Sequence, residues 1–152
     1  MNKKEVMDCI NDAFSKVSLG SGIGLWEAQA IDDYESEEAQ KVKRKIDEKE
    51  DWSSISPDQL HKCQSSLSFF DADGMRFHLP AFIIESLKGE VDDPIFHLTH
   101  LDDYAKSKLT TLNSKQIKAI KNYLNWCLNN LEYQYEHQMI KRVLNEYWET
   151  RI

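Results

Sequence analysis

The sequence predicts an α+β domain that is mainly α, with about five or six helices packed around a two-stranded β-hairpin at residues 67–79. Three observations carry this reading. Apolar residues recur at three- and four-residue spacing near both ends of the chain. The central stretch Leu67 to Phe82, LSFFDADGMRFHLPAF, alternates apolar and polar residues around a turn-like DADG. Finally, 152 residues with 41% hydrophobic and 11% aromatic content are enough for one domain, residues 1–152, with a buried core.

In chain order, residues 2–17 predict a helix with Asn2 as N-cap and Val6, Ile10, Ala13, Phe14 and Val17 on its inner face. Gly20, Gly22 and Gly24 then interrupt it. Their spacing matches neither a Walker loop nor G-x-G-x-x-G, and a helix precedes them, so the segment reads as a connector. A second helix begins near Leu25 and runs into blocks of acids, then bases, then acids again. Such alternation suits a solvated helix laced with i, i+4 ion pairs. The pattern leaves open whether 25–49 is one helix or breaks near Ser36.

Ser56-Pro57-Asp58-Gln59 is a helix start, with Ser56 as cap, Pro57 at the first position and Gln59 completing a capping box. The hairpin follows. Asp71-Ala72-Asp73-Gly74 forms its turn, with Gly74 free to take positive φ. Met75, Phe77 and Leu79 share one face of the second arm, and Arg76 and His78 the other. Pro80 opens a helix that Gly89 stops. Residues 90–104 read as loop, including Ile95 to Leu98. From Asn113 or Ser114 a strongly periodic segment continues to Trp148. As one helix it would run roughly 54 Å at 1.5 Å per residue, so two antiparallel helices broken at Asn129-Asn130 are expected.

The central motif, preceded by DEKEDW and followed far downstream by LNEYW, resembles an uncharacterised bacterial family classed as a domain of unknown function. The resemblance runs from the first amphipathic helix to Trp148. It implies a fold shared with small bacterial proteins, and it carries over no activity and no functional residue.

Charge and motifs narrow the function classes. The net charge is −7. Residues 27–58 hold eleven acids against five bases and 59–103 hold eight against three, whereas 104–152 hold four against eight. An acidic middle argues against nucleic acid as partner. No apolar run approaches the ~20 residues that span a bilayer, and Asp8 breaks up the only N-terminal apolar stretch, so neither a membrane span nor a signal peptide is expected. Cys9, Cys63 and Cys127 are odd in number and scattered, which reads as reduced thiols in the cytoplasm. DADG fails as a calcium loop because Phe69 and Pro80 stand where acids are needed.

Two constellations could carry chemistry. His97 and His100 lie among Asp92, Asp93, Asp102 and Asp103, but H-E-x-x-H is absent and a polar loop is the simpler reading. Arg76 and His78 share a predicted hairpin face, with Asp47, Asp51 and Trp52 upstream. These five are the candidate binding residues, for acid/base work or for gripping an anion. The plainer alternative pairs Asp47 or Asp51 with Arg76, with Trp52 filling the joint. No residue is assigned a catalytic role, and no cofactor or metal is expected. The chain therefore reads as a small acidic protein-interaction module with an unidentified protein partner. One version is an immunity-type protein that neutralises a toxin by electrostatic steering. The alternative is a small enzyme or metal-binding protein using the Arg76/His78 face or the His97/His100 loop.

Overall fold

Two buried indoles and one largely buried helix organise the architecture. The computed structural model describes residues 1–151. Among them are α1 Lys3–Phe14, α2 Leu25–Asp32, α3 Glu37–Ile46, α4 Pro57–Lys62, α5 Ala72–Leu87, α6 Ile95–Thr99, α7 Asp103–Ser107, α8 Ser114–Leu128 and α9 His137–Glu146. Short 3-10 segments lie between several of them, and among the described residues there is no strand.

The predicted hairpin is therefore corrected to helix, and five or six helices become nine among the described residues. Asp71 is not a turn residue but the N-cap of α5, accepting from Gly74 N at 2.8 Å. Leu67 belongs to a 3-10 segment, Gln64–Ser68, and Met75 to Leu79 continue the helix. Alternation misled because the middle of α5 is buried on every side except at Arg76: His78, Pro80, Ala81, Phe82, Ile83 and Ile84 are inside along with the expected Met75, Phe77 and Leu79. A helix with no solvated side shows no 3.6-residue rhythm. Pro80 lies within α5 rather than at its first position. Its ring removes the N–H that would have bonded Arg76 O. Burial on both sides of that gap keeps the helix running through it.

Several local readings hold. Asn2 and Glu5 form a reciprocal capping box on α1, whose Val6, Ile10 and Phe14 are buried against α5 and α8. Ser56 caps α4 with Pro57 in the first turn. Gly89 follows α5 at φ +81, as a helix-stopping glycine should. The chain breaks at Asn129, after which a 3-10 segment turns it into α9, packed on α8. There the His137 ring nitrogen Nε2 sits 2.9 Å from Cys127 O and 3.0 Å from Asn130 O. Ile95 to Leu98, expected as loop, begins the short helix α6, with Ile95 and Leu98 pointing inward.

The indoles join distant elements. Trp52 donates from Nε1 to Phe14 O at 2.8 Å, and Trp148 to Leu98 O at 2.9 Å, both buried. Each thus buries a large apolar ring without leaving its N–H unpaired.

Glycines mark the tightest crossing. The connector after α1 passes over the first turn of α5, where Ile23 N donates to Asp71 Oδ1 at 3.0 Å. A Cβ on Gly74 would lie 2.6 Å from Ile23 O, and one on Gly22 would lie 2.8 Å from Gly74 N. Gly74 is needed for close approach, not for a turn conformation.

Gly74→Ala is accordingly expected to lower stability by about 1–2 kcal/mol in urea unfolding, the cost of forcing a methyl against a fixed carbonyl. Alanine is the better helix former by about 1 kcal/mol. An unchanged or higher urea midpoint would therefore show that the crossing is not tight.

Candidate functional site

The five residues singled out from the sequence do not assemble into one site. Asp47, at the end of α3, turns its carboxylate onto the start of α2, accepting from Trp26 N at 2.8 Å and Glu27 N at 3.1 Å. It satisfies two of the orphan N–H groups of that helix. Burial pushes its carboxyl pKa upward, and the two backbone bonds offset part of that. Gly24 leaves the room: a Cβ there would collide with the Asp47 carboxylate. Asp51 is exposed and caps the 3-10 segment at Trp52, accepting from Ser53 N at 3.0 Å. Trp52 fills a joint between α1, where it bonds Phe14 O, and α5, which packs on its 3-10 segment.

Arg76 and His78 part company. Two residues along a helix are turned by about 200°, so they cannot share a face. Arg76 pairs with Asp73 at 3.2 Å, and neither Asp47 nor Asp51 lies within ion-pairing distance of it. His78 is fully buried, stacked flat on Phe70 at 4.2 Å, with Nδ1 2.7 Å from Gly74 O. Burial drives its pKa down to about 4, so at neutral pH it is an uncharged core ring.

His97 and His100 do line a cleft of about 200 Å³, with Phe96, Tyr104 and Lys108. Phe96 stacks on His100 at 4.3 Å, and the Lys108 ammonium sits 4.4 Å from the Tyr104 ring. Lys108 is itself buried and donates to the carbonyls of Leu67 and Ser68. Burial, with the Lys108 charge adding to it, takes the His97 pKa down to about 4. Two of the four nearby carboxylates are occupied by backbone N–H groups: Asp93 accepts from Ile95 N, and Asp102, the N-cap of α7, from Ala105 N. Among the described residues no three His, Cys, Asp or Glu side chains converge as a metal would need.

The more distinctive surface is the tip between α2 and α3. There α2 ends in a Schellman-type cap: Tyr34 N donates to Ile31 O at 3.1 Å and Glu35 N to Ala30 O at 3.0 Å. The left-handed position falls on Tyr34, at φ +56, where glycine is usual. Its ring is 96% exposed, and Asp32, Asp33, Glu35, Glu37 and Glu38 surround it in sequence. Ser36 then caps α3 by accepting from Ala39 N at 3.2 Å. No residue of α3 is fully buried, and Val42 and Ile46 stand 58% and 71% exposed one turn apart. These two helices are clamped at their base. Arg44 donates to Gly22 O and, at 2.8 Å, to Gly20 O, and sits 3.6 Å from Glu27. Sequence reasoning passed over Tyr34. The available signal was an aromatic standing among five acids in seven residues.

The chain belongs to a family of unknown function, DUF6714, whose model matches residues 2–152. No curated protein and no solved structure matches it. No helix among the described residues is long and apolar enough to cross a membrane.

The buried state of His78 has a measurable consequence. Its folded pKa lies below the ordinary 6.5, so the unfolded chain binds the extra proton first. The stability this confers is complete above about pH 6.5 and drains away as pH falls toward 4, by about 3 kcal/mol in all. His78→Phe keeps the stack on Phe70 and removes the proton site. It is expected to reduce the slope of stability against pH between 6.5 and 4, leaving the part that His97 contributes, measured by urea unfolding at several pH values. A mutant slope equal to the parent's would mean that His78 is protonated in the fold.

Proposed function

We propose that this protein is a protein-binding module whose contact surface is the acidic tip between α2 and α3, centred on Tyr34. The observation that carries this reading is the Tyr34 ring itself. It is almost wholly in solvent, at a backbone position that costs a non-glycine residue about 1–2 kcal/mol. The ring gives the fold no buried area to offset that cost. Strain of this kind is characteristic of sites kept for contact with something else. Tyrosine is also among the residues that dominate binding energies when a partner covers them.

The chemistry of the tip selects the partner. Five carboxylates in seven residues favour a basic surface, and the charge steers encounter more than it adds to affinity. The capped turn holds the tip in one shape, which limits the ordering cost of binding. A small acidic protein of this kind suits the immunity-type role, covering the cationic substrate groove of a toxin. Cys9, Cys63 and Cys127 are all free thiols, which supports work in the reducing cytoplasm.

Tyr34→Gly separates the fold from the function. Glycine relieves the left-handed strain and loosens the unfolded chain, for a net gain of about 0.5–1 kcal/mol in urea unfolding. In capture from lysate of the source cell, the parent is expected to retain a stoichiometric basic protein at low salt and to release it at high salt. The more stable variant is expected to retain far less. A partner held equally well by the variant, or unmoved by salt, sinks the proposal, as does a parent that retains nothing.

A further inference from the structure

A different surface gathers positive charge against the acidic trend of the chain. Lys16 follows α1, Arg76 lies in α5 and Lys115 in the first turn of α8. All three line one cleft of about 580 Å³, with Ser15, Asn113 and Asp12 also on its walls. Asp12 answers Lys115 at 2.7 Å and Asp73 answers Arg76 at 3.2 Å. Lys16 makes no ion pair among the described residues. The cleft therefore keeps an unanswered positive charge.

Arg76 adds a hydrogen-bond deficit. Asp73 takes one donor, through Nη2, whereas Nε is buried and meets no acceptor. A guanidinium carries five donors in a rigid fork, and a buried N–H without a partner costs about 1–3 kcal/mol. Such a group calls for an acceptor. Nε itself faces the protein, but Nη1 of the same guanidinium makes no hydrogen bond among the described residues, and an oxyanion in the cleft can accept from it and from Lys16. Its match in charge and geometry is the usual basis of arginine recognition of phosphate and carboxylate.

We infer that the cleft between the end of α1, α5 and the start of α8 is a binding site for a small oxyanion, a phosphate or carboxylate group, held by Arg76 and Lys16. The Ser18 hydroxyl and the Asn113 amide NH2, also at its walls, suit the remaining oxygens. The site is separate from the acidic tip and takes ligands of the opposite charge, so either can be right without the other.

The test is titration of the isotope-labelled full chain with inorganic phosphate, and separately with succinate, at constant ionic strength, followed by amide NMR. Saturable shifts confined to residues 13–18, 76 and 113–116 are expected. Stronger binding of phosphate assigns a phosphate group, and stronger binding of succinate a carboxylate. Arg76→Gln removes a charge-assisted donor and is expected to weaken binding at least about tenfold. Lys16→Gln, on the exposed rim and away from the core, is expected to weaken it a few-fold with the spectrum otherwise intact. Shifts that never saturate with either anion overturn the inference. So does unchanged affinity in the folded Lys16→Gln and Arg76→Gln proteins.

Discussion

A single carboxylate oxygen ties the connector after α1 to the start of α5. Asp71 Oδ1 accepts both from Gly74 N, closing the first turn of α5, and from Ile23 N, in the connector arriving from α1. Those two segments touch backbone to backbone because Gly22 and Gly74 carry no side chain. The crossing fixes where α5 begins. With the start fixed, a helix with buried residues on every side has one depth and one rotation at which Phe77, Leu79, Phe82 and Ile83 all pack. The same rotation places His78 against Phe70 and turns Arg76 outward to the cleft it shares with Lys16.

The connector also anchors the outlying pair of helices. Arg44 reaches back from α3 to the carbonyls of Gly20 and Gly22, and Asp47 caps α2 from the far end of α3. Polar groups therefore do for α3 what burial does for α5, since α3 buries none of its own residues. A helix held this way can leave its apolar side chains in water. Val42 and Ile46 are the result, and the Tyr34 turn is carried at the far end of a braced arm. Rigidity at the base and exposure at the tip come from one set of hydrogen bonds.

What could be read from the sequence follows the range of the interactions that decide it. Caps are local, so Asn2, Ser56 and the break at Asn129 were legible from neighbouring residues. The strand reading of 67–79 failed because it assumed one solvated face, and Met75 through Ile84 have none except at Arg76. Alternation of Met75, Phe77 and Leu79 is equally compatible with a helix buried all round. Asp71 and Gly74 were correctly singled out but given the wrong work. A cap followed by a close-approach glycine has the same composition as a turn, and the segment that requires the glycine, at Ile23, lies some fifty residues away. Asp47 could not be recognised as a cap for α2 for the same reason.

The two candidate surfaces divide along that line. The acidic tip is contiguous, so its charge was visible as a run, while the exposure of Tyr34 was not, because that depends on where α2 ends and what covers the turn. The basic cleft is the reverse case. Lys16, Arg76 and Lys115 come from three helical regions, and Arg76 sits in a stretch where acids outnumber bases eight to three. Averaging charge along the chain hides such a cluster, whereas folding α1, α5 and α8 together creates it. Net charge of −7 therefore describes the field a partner feels at a distance. At contact range, which ligands are welcomed depends on the fold, and this one sets a patch of each sign on the same chain.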